Sequence, residues 1–184
     1  MKYLHIKFIK LDKHPCKRDP IPFLGIESKL SDSSYTIKTT FVNSIPPSWE
    51  EKFIFEVKTT DNVNLEISFL ESRLLMKTEE FGRISIPLSV FSLNTSIIDW
   101  IPVEKTREYI ENSHLLVLFH LSDNQNSHFN KEFGTYLVSP PWEKIPISES
   151  DLLEAQDNND ECNRNQTNSL KDVFSSIFHH FQAK

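Results

Sequence analysis

Apolar and polar residues alternate along most of the first 121 positions of the chain. The pattern is clearest in Lys52–Val57, where Phe53, Phe55 and Val57 recur at every second position. Such alternation puts one set of side chains on one side of an extended strand, so that side can be buried. The predicted strands are Tyr3–Phe8, Phe23–Ile26, Tyr35–Val42, Lys52–Val57, Leu65–Leu70, Ile84–Leu88, Trp100–Val103 and Leu115–Leu121.

Eight short strands with turn residues between them predict an all-β fold over residues 1–122. The expected architecture is an eight-stranded antiparallel β-sandwich, in which each strand buries alternate residues against the opposite sheet. No helical segment in this range is long enough to suggest a parallel α/β sheet. The side chains expected to point together into the core are Trp49, Phe53, Phe55, Ile67 and Ile86.

The alternation ends after Leu121, and a C-terminal tail follows. We predict an extended linker over residues 123–155, in which Phe133–Val138 forms either a short extra strand or a docked segment. Residues 156–168 are acidic and rich in Asn, have almost nothing to bury, and are predicted to be disordered. Residues 169–182 have apolar residues at helical spacing, which predicts a short amphipathic helix that needs a surface to fold against. The side chains expected to bind a partner protein, or to pack back on the sandwich, are Phe174, Ile177, Phe178 and Phe181.

The formal net charge of −6 is concentrated in the tail. Residues 1–122 carry 15 Lys and Arg against 16 Asp and Glu, and residues 123–184 carry 5 against 10. A nucleic-acid partner would require a strongly basic face, so we expect none. Cys16 and Cys162 form no zinc or disulfide pattern. No local nucleophile–base arrangement occurs, and we expect no enzymatic activity.

The segment from Pro47 to Phe55 (Pro-Ser-Trp-Glu-Glu-Lys-Phe-Ile-Phe) resembles the Asn-Pro-x-Trp-Asn-Glu-x-Phe-x-Phe motif of the C2 domain family. Downstream, Leu65–Glu71 is similar to the family's Leu-x-Ile-x-Val-x-Asp strand, and Phe81–Leu88 resembles its Ile-Gly and Ile-Pro-Leu pattern. The order and spacing hold over residues 3–121 and suggest the type II topology.

The resemblance to C2 domains implies a module that binds anionic phospholipid headgroups. We therefore expect a cytoplasmic, peripheral membrane-targeting adaptor. The chain has neither an N-terminal signal-peptide pattern nor an apolar run of membrane-spanning length, which is consistent with that location. The alternative function is a protein–protein scaffold that uses the sandwich surface and the C-terminal helix.

The family's calcium-binding members present several carboxylates from two loops at one end of the sandwich. Asp19-Pro20-Ile21 and Ile21-Pro22-Phe23 fit the family's Asp-Pro-Tyr position equally well, and in the second register Ile21 replaces the ligand. In the other loop Arg73 stands where a second Asp is expected. Calcium requires six to eight oxygen ligands, so we expect no cofactor and at most weak, degenerate calcium binding. The positions that the resemblance assigns to metal are Asp12, Asp19, Glu71 and Glu79.

The same two loops carry the candidate lipid contacts. The basic stretch 13–18 either meets anionic headgroups or is neutralised by its neighbours Asp12 and Asp19. The apolar triplet 74–76, flanked by Arg73 and Lys77, either inserts into a bilayer or folds inward to cap the core. The predicted lipid-binding residues are Lys13, Lys17, Arg18, Arg73, Leu74, Leu75, Met76 and Lys77.

Overall fold

A computed structural model describes residues 1–17, 19–73, 77–130 and 132–156 of the chain. In these residues two antiparallel sheets pack face to face, which confirms the predicted all-β sandwich. The strands are β1 (Lys2–Leu11), β2 (Phe23–Leu30), β3 (Thr36–Lys38), β4 (Ser48–Val57), β5 (Asn64–Ser72), β6 (Glu79–Pro87), β7 (Thr95–Pro102), β8 (Glu104–Lys105) and β9 (His114–Ser122), and a 3₁₀ helix spans Leu88–Val90.

The first sheet has the strand order β4-β1-β9-β7, and the second has β3-β2-β5-β6-β8. All of these strand pairs are antiparallel. The first and last strands of the sandwich are neighbours, because Ile6 of β1 lies between Phe53 of β4 and Phe119 of β9. This pairing places β1 and β9 in the middle of the first sheet, with β4 and β7 at its edges.

The core between the sheets consists of the residues that the alternation assigns to it. Trp49, Phe55, Ile67 and Ile86 are buried, and Phe53 packs against the same cluster while partly buried. Full burial of one such large apolar side chain contributes about 1.5–3 kcal/mol. The predicted core is therefore confirmed, and the loops are held by a rigid scaffold.

The described residues form nine strands rather than the predicted eight, because the two-residue β8 adds an edge to the second sheet. The strand predicted over Tyr35–Val42 is reduced to Thr36–Lys38. Its ladder ends there because the Thr39 hydroxyl accepts the Ile26 N–H at 2.9 Å, where a regular ladder would use a backbone carbonyl. The strand predicted from Trp100 begins five residues earlier, at Thr95.

Residues 123–156, which we call the strap, pack on the first sheet and do not form the predicted extended linker. Phe133 makes only an isolated bridge to Ser96, and Tyr136 is buried in the main core, so Phe133–Val138 is a docked segment and not a strand. The strap ends in a helix that the sequence did not predict, α1 (Glu149–Gln156). Residues 157–168, and the helix predicted over 169–182, lie outside the described residues.

Helix α1 begins with a reciprocal cap. The Ser148 hydroxyl accepts the Asp151 N–H at 3.2 Å, and the Asp151 carboxylate accepts the Ser148 N–H at 3.0 Å. This exchange satisfies two backbone donors that a helix N-terminus leaves free. Among the described residues, no helix is long and apolar enough to cross a membrane.

Candidate membrane interface at the loop pole

Four loops meet at one end of the sandwich, which we call the loop pole. Phe23, at the start of β2, lies opposite Ser72, at the end of β5. A backbone hydrogen bond of 2.9 Å from the Glu111 N–H to the Pro15 carbonyl ties two further loops together. The two loops predicted to carry the site therefore share one end. We define the loop pole as residues 12–22, 39–47, 71–80 and 103–113, of which the structure describes all but residues 18 and 74–76.

The loop of residues 39–47 carries no charged side chain and exposes two large apolar ones. Ile45 is 66% exposed and Phe41 is 38% exposed. The Leu11 N–H donates to the Pro47 carbonyl at 2.9 Å, which fixes the end of this loop to the first sheet. Exposed apolar side chains grouped on a rigid surface are typical of a site that contacts a membrane or a partner.

Two more exposed apolar side chains lie where the chain enters β2. Ile21 is 41% exposed and Phe23 is 42% exposed. The ring of Phe41 lies against Gly25, and a Cβ atom at Gly25 would come within 3.0 Å of that ring. The glycine lets the Phe41 ring lie against β2, and Phe23 is on the same side of that strand as residue 25. Sequence reasoning missed these residues, since isolated apolar positions in loops have no period.

The cations at the loop pole are only partly neutralised. Lys13 and Lys77 are exposed and form no ion pair within the described part of the chain. Lys17 pairs with Glu111 at 2.6 Å, and this contact lowers the pKa of the Glu111 carboxyl. The neutralising partner of Lys17 is therefore Glu111, and not Asp12 or Asp19.

Some residues of the predicted lipid site are either half-buried or outside the described residues. Arg73 is half-buried, and its Nη2 atom lies 3.9 Å from the Cys16 sulfur. Arg18, Leu74, Leu75 and Met76 fall outside the described residues, as do Phe174, Ile177, Phe178 and Phe181, so their predicted lipid or partner contacts stay predictions.

A guanidinium group lies among the carboxylates of the candidate calcium site. The Arg107 Nη1 atom is 2.6 Å from a Glu79 oxygen and 3.8 Å from a Glu71 oxygen. The hydrogen bond to Glu79 raises the pKa of Arg107 further above its ordinary value. The Tyr109 hydroxyl donates to Glu71 at 2.8 Å, and burial raises the pKa of this tyrosine.

The remaining carboxylates are not gathered around that position. Asp12 accepts the His114 N–H at 2.8 Å and lies 3.1 Å from the His114 ring. Asp19 is exposed, four residues before β2. One oxygen of Glu71 is buried without a hydrogen bond, but the only cation beside it in the described structure is Arg107. Within the described ranges no three His, Cys, Asp or Glu residues could share a metal ion, so these residues do not fit a calcium site.

The sequence pattern of the C2 domain matches residues 2–103 of this chain. A comparison with curated protein sequences gave no significant match. Among solved structures, the C2-A domain of plant extended synaptotagmin 1 superposes on this chain with a TM-score of 0.59 at 20% identity. The superposition covers 65% of this chain and 93% of that one.

Human GIVD cytosolic phospholipase A2 is also similar, with a TM-score of 0.56 at 14% identity, covering 67% of this chain and 17% of that one. A structure of extended synaptotagmin 2 that contains its SMP domain and two C2 domains gives a TM-score of 0.53 at 15% identity, covering 65% of this chain and 25% of that one. The superpositions show a shared fold, and at such low sequence identities they show nothing beyond the fold. Since the pattern match covers more than half of the residues, the chain belongs to the C2 domain family.

Proposed function

We propose that this chain is a peripheral membrane-targeting module whose loop pole inserts apolar side chains into a phospholipid surface without calcium. C2 domains generally bind phospholipid membranes, and family membership supports a role of this general kind. The observation that carries the finer proposal is the exposure of Ile45 and Phe41 on an uncharged loop at the loop pole. The proposed location is the cytoplasmic face of a membrane.

Apolar contacts supply most of the proposed binding energy. Residues 12–22, 71–80 and 103–113 together carry seven Lys and Arg and eight Asp and Glu, so the loop pole is almost neutral. A Lys near an anionic surface contributes only about 1 kcal/mol. Burying an exposed Ile or Phe contributes about 1.5–3 kcal/mol. We therefore expect binding to weaken only modestly between low and physiological salt, because apolar burial is not screened.

Arg107 supports the calcium-independent form of this proposal. In calcium-dependent binding an ion neutralises loop carboxylates, whereas here a guanidinium already lies beside Glu71 and Glu79. A covalently attached cation is present at every calcium concentration. The loops are therefore proposed to be ready for a membrane without a calcium signal.

A binding role is also favoured over a catalytic one. Among the described residues the His120 ring contacts two serine hydroxyls, that of Ser127 at 2.9 Å through Nε2 and that of Ser96 at 3.0 Å through Nδ1. Ser96 and His120 are buried, and the Asn130 N–H donates to the Ser96 hydroxyl at 2.7 Å. A substrate would have to displace the strap to reach this pair.

Co-sedimentation with vesicles tests the proposal. The full chain is mixed with vesicles of phosphatidylcholine and phosphatidylserine, either in a chelator or in calcium. Ile45→Glu should reduce the vesicle partition coefficient at least about tenfold, because it replaces an inserted side chain by a charge and removes more than about 1.4 kcal/mol. The wild type should bind equally with and without calcium.

Leu93→Glu is the matched control. Leu93 is 44% exposed, but it precedes β7 at the opposite end of the sandwich. This variant should bind like the wild type, because its side chain points away from the membrane. Equal losses for both variants, or no pelleting of the wild type in either buffer, would show that the loop pole is not the membrane interface.

A further inference from the structure

The strap covers a second apolar cluster on the outward face of the first sheet. The sheet contributes residues that alternate with those of the main core, and α1 contributes the buried Ala155. Without the strap this face would be open to water. The buried residues that the sheet contributes are Ile9, Ile98, Trp100, Leu116 and Leu118.

Two lysines of β1 fix the strap in register. Lys7 is fully buried, and its Nζ atom donates to the Glu154 carbonyl at 2.6 Å and to the Ala155 carbonyl at 3.5 Å. A cation there complements the negative C-terminal end of α1. Lys10 pairs with Asp151 at 3.2 Å and with Glu154 at 2.7 Å. These contacts hold the strap at one specific position on the sheet.

Next to these lysines the strap covers a pair of histidines. His5 and His120 lie directly opposite each other on β1 and β9, with ring centroids 5.8 Å apart, and both are buried. The ring of Phe129, from the strap, stands edge-on to both of them at 6.4 Å. His5 bonds to the Asn124 carbonyl at 3.3 Å and His120 bonds to the Ser127 hydroxyl at 2.9 Å. The strap therefore supplies both the seal and the polar partners.

We propose that the strap is a proton-operated latch, which covers the sheet while His5 and His120 are neutral and leaves it when they become protonated. Two imidazolium charges side by side under an aromatic seal would repel each other and lose contact with water. Within the described ranges neither ring has a carboxylate as hydrogen-bond partner; their partners are the backbone of Asn124 and Thr95 and the hydroxyls of Ser96 and Ser127.

The titratable groups around the pair are mixed in sign, three basic and two acidic, and neither acid is a hydrogen-bond partner of the two histidines. His128 of the strap lowers the pKa of His5 further by its own charge. Lys7 follows His5 on the same face of β1. The flanking titratable groups on β1, β4 and the strap are Lys7, Lys52, Glu56, Asp123 and His128.

Burial lowers the pKa of both histidines, which fixes the sign of the effect. The closed latch binds fewer protons than the open one, so closure is favoured above the ordinary histidine pKa of about 6.5 and is lost as the pH falls below it. Each histidine can lower the equilibrium constant for closure of the strap by up to about tenfold for every unit that the pH falls. Asp99, which pairs with Lys144 of the strap, has the opposite effect on closure. Burial raises the pKa of Asp99, so its protonation at low pH favours the closed strap.

Hydrogen exchange of the full chain tests the latch at pH 7.5, 6.5 and 5.5, with labelling times corrected for the intrinsic exchange rate. Peptides from residues 143–156 should exchange at least about tenfold faster at pH 5.5 than at pH 7.5. Peptides from β5 should keep their protection at all three values. Unchanged protection of the strap, or equal loss in β5, would overturn the proposal.

Substitutions separate the histidines from general acid effects. His5→Gln keeps a donor for the Asn124 carbonyl and should reduce the pH dependence from two protons to one. Adding His120→Phe should keep the strap closed at pH 5.5. Asp99→Asn and His114→Gln, the second a histidine at the loop pole, should both retain acid opening. Opening of the same size in His5→Gln as in the wild type would contradict the latch.

Discussion

At the residue scale, Arg107 decides what the acidic part of the loop pole can do. Its guanidinium contacts Glu79 and approaches the buried Glu71, where a calcium site would need free carboxylate oxygens. The resemblance to the C2 family predicts that Arg73 stands at a ligand position, because that position belongs to a recognisable motif. It did not show Arg107, because an ion pair between residues 28 and 36 positions apart leaves no local pattern.

Arg107→Ala should destabilise the protein by about 1–2 kcal/mol, because the buried Glu71 loses its only cationic neighbour in the described structure. Urea denaturation measures this change. Arg83→Ala is the control: its ion pair with Glu104 is exposed at 3.7 Å and should be worth less than about 0.5 kcal/mol. Equal effects of the two substitutions would mean that Arg107 has no special structural role.

Calcium should not stabilise the wild-type protein. A ligand that binds only the folded state raises the midpoint of thermal unfolding according to its concentration and affinity. Because Arg107 already lies beside Glu71 and Glu79, we expect the same midpoint in millimolar calcium and in chelator. A calcium-dependent rise in the midpoint would contradict the proposed calcium independence, and calorimetric titration would give the affinity.

At the scale of elements, strands were predictable and the strap was not. Strands such as Lys52–Val57 bury one face, so apolar residues recur at every second position of the sequence. In the strap, apolar residues such as Phe129 and Ile145 contact the sheet from irregular backbone, which has no period. The exposed Ile45 was not predicted as a membrane contact for the same reason. Its loop has no period, and only the fold shows that this loop lies at the loop pole.

Lys7→Met should loosen the strap and lower the free energy of unfolding by about 1–3 kcal/mol, because the carbonyls of Glu154 and Ala155 lose a charged donor. Lys29→Met removes an exposed pair with Glu66 and should change stability by at most about 1 kcal/mol. Both values come from urea denaturation. An unaffected Lys7→Met variant would show that the lysine does not hold α1.

At the scale of the whole molecule, the folding unit is longer than the segment that matches the family. The match ends at residue 103, yet β9 (His114–Ser122) lies in the middle of the first sheet. The strap then covers the outward face of that sheet, including Trp100. The sandwich and the strap should therefore unfold together at neutral pH.

Truncation tests this boundary. A chain that ends at Gln156 keeps every described contact and is compared with the full chain as the reference. A chain that ends at Ser122 exposes Trp100, Leu116 and Leu118, and should aggregate or unfold at a lower temperature. Scanning calorimetry compares the three chains. Equal stability of the shortest chain would mean that the strap adds nothing to the fold.

Insertion of the loop pole into a membrane can be measured with a polarity-sensitive fluorophore placed at Ile45. The dye is attached to Ile45→Cys, with Leu93→Cys as its counterpart at the opposite end and Cys162→Ser in both to avoid a second label. We predict that anionic vesicles in chelator shift the emission of the Ile45 probe to the blue, that acyl-chain quenchers reach it, and that the Leu93 probe does not respond. If the emission of the Ile45 probe did not change on bound protein, or if both probes responded equally, the loop pole would not be the inserted part.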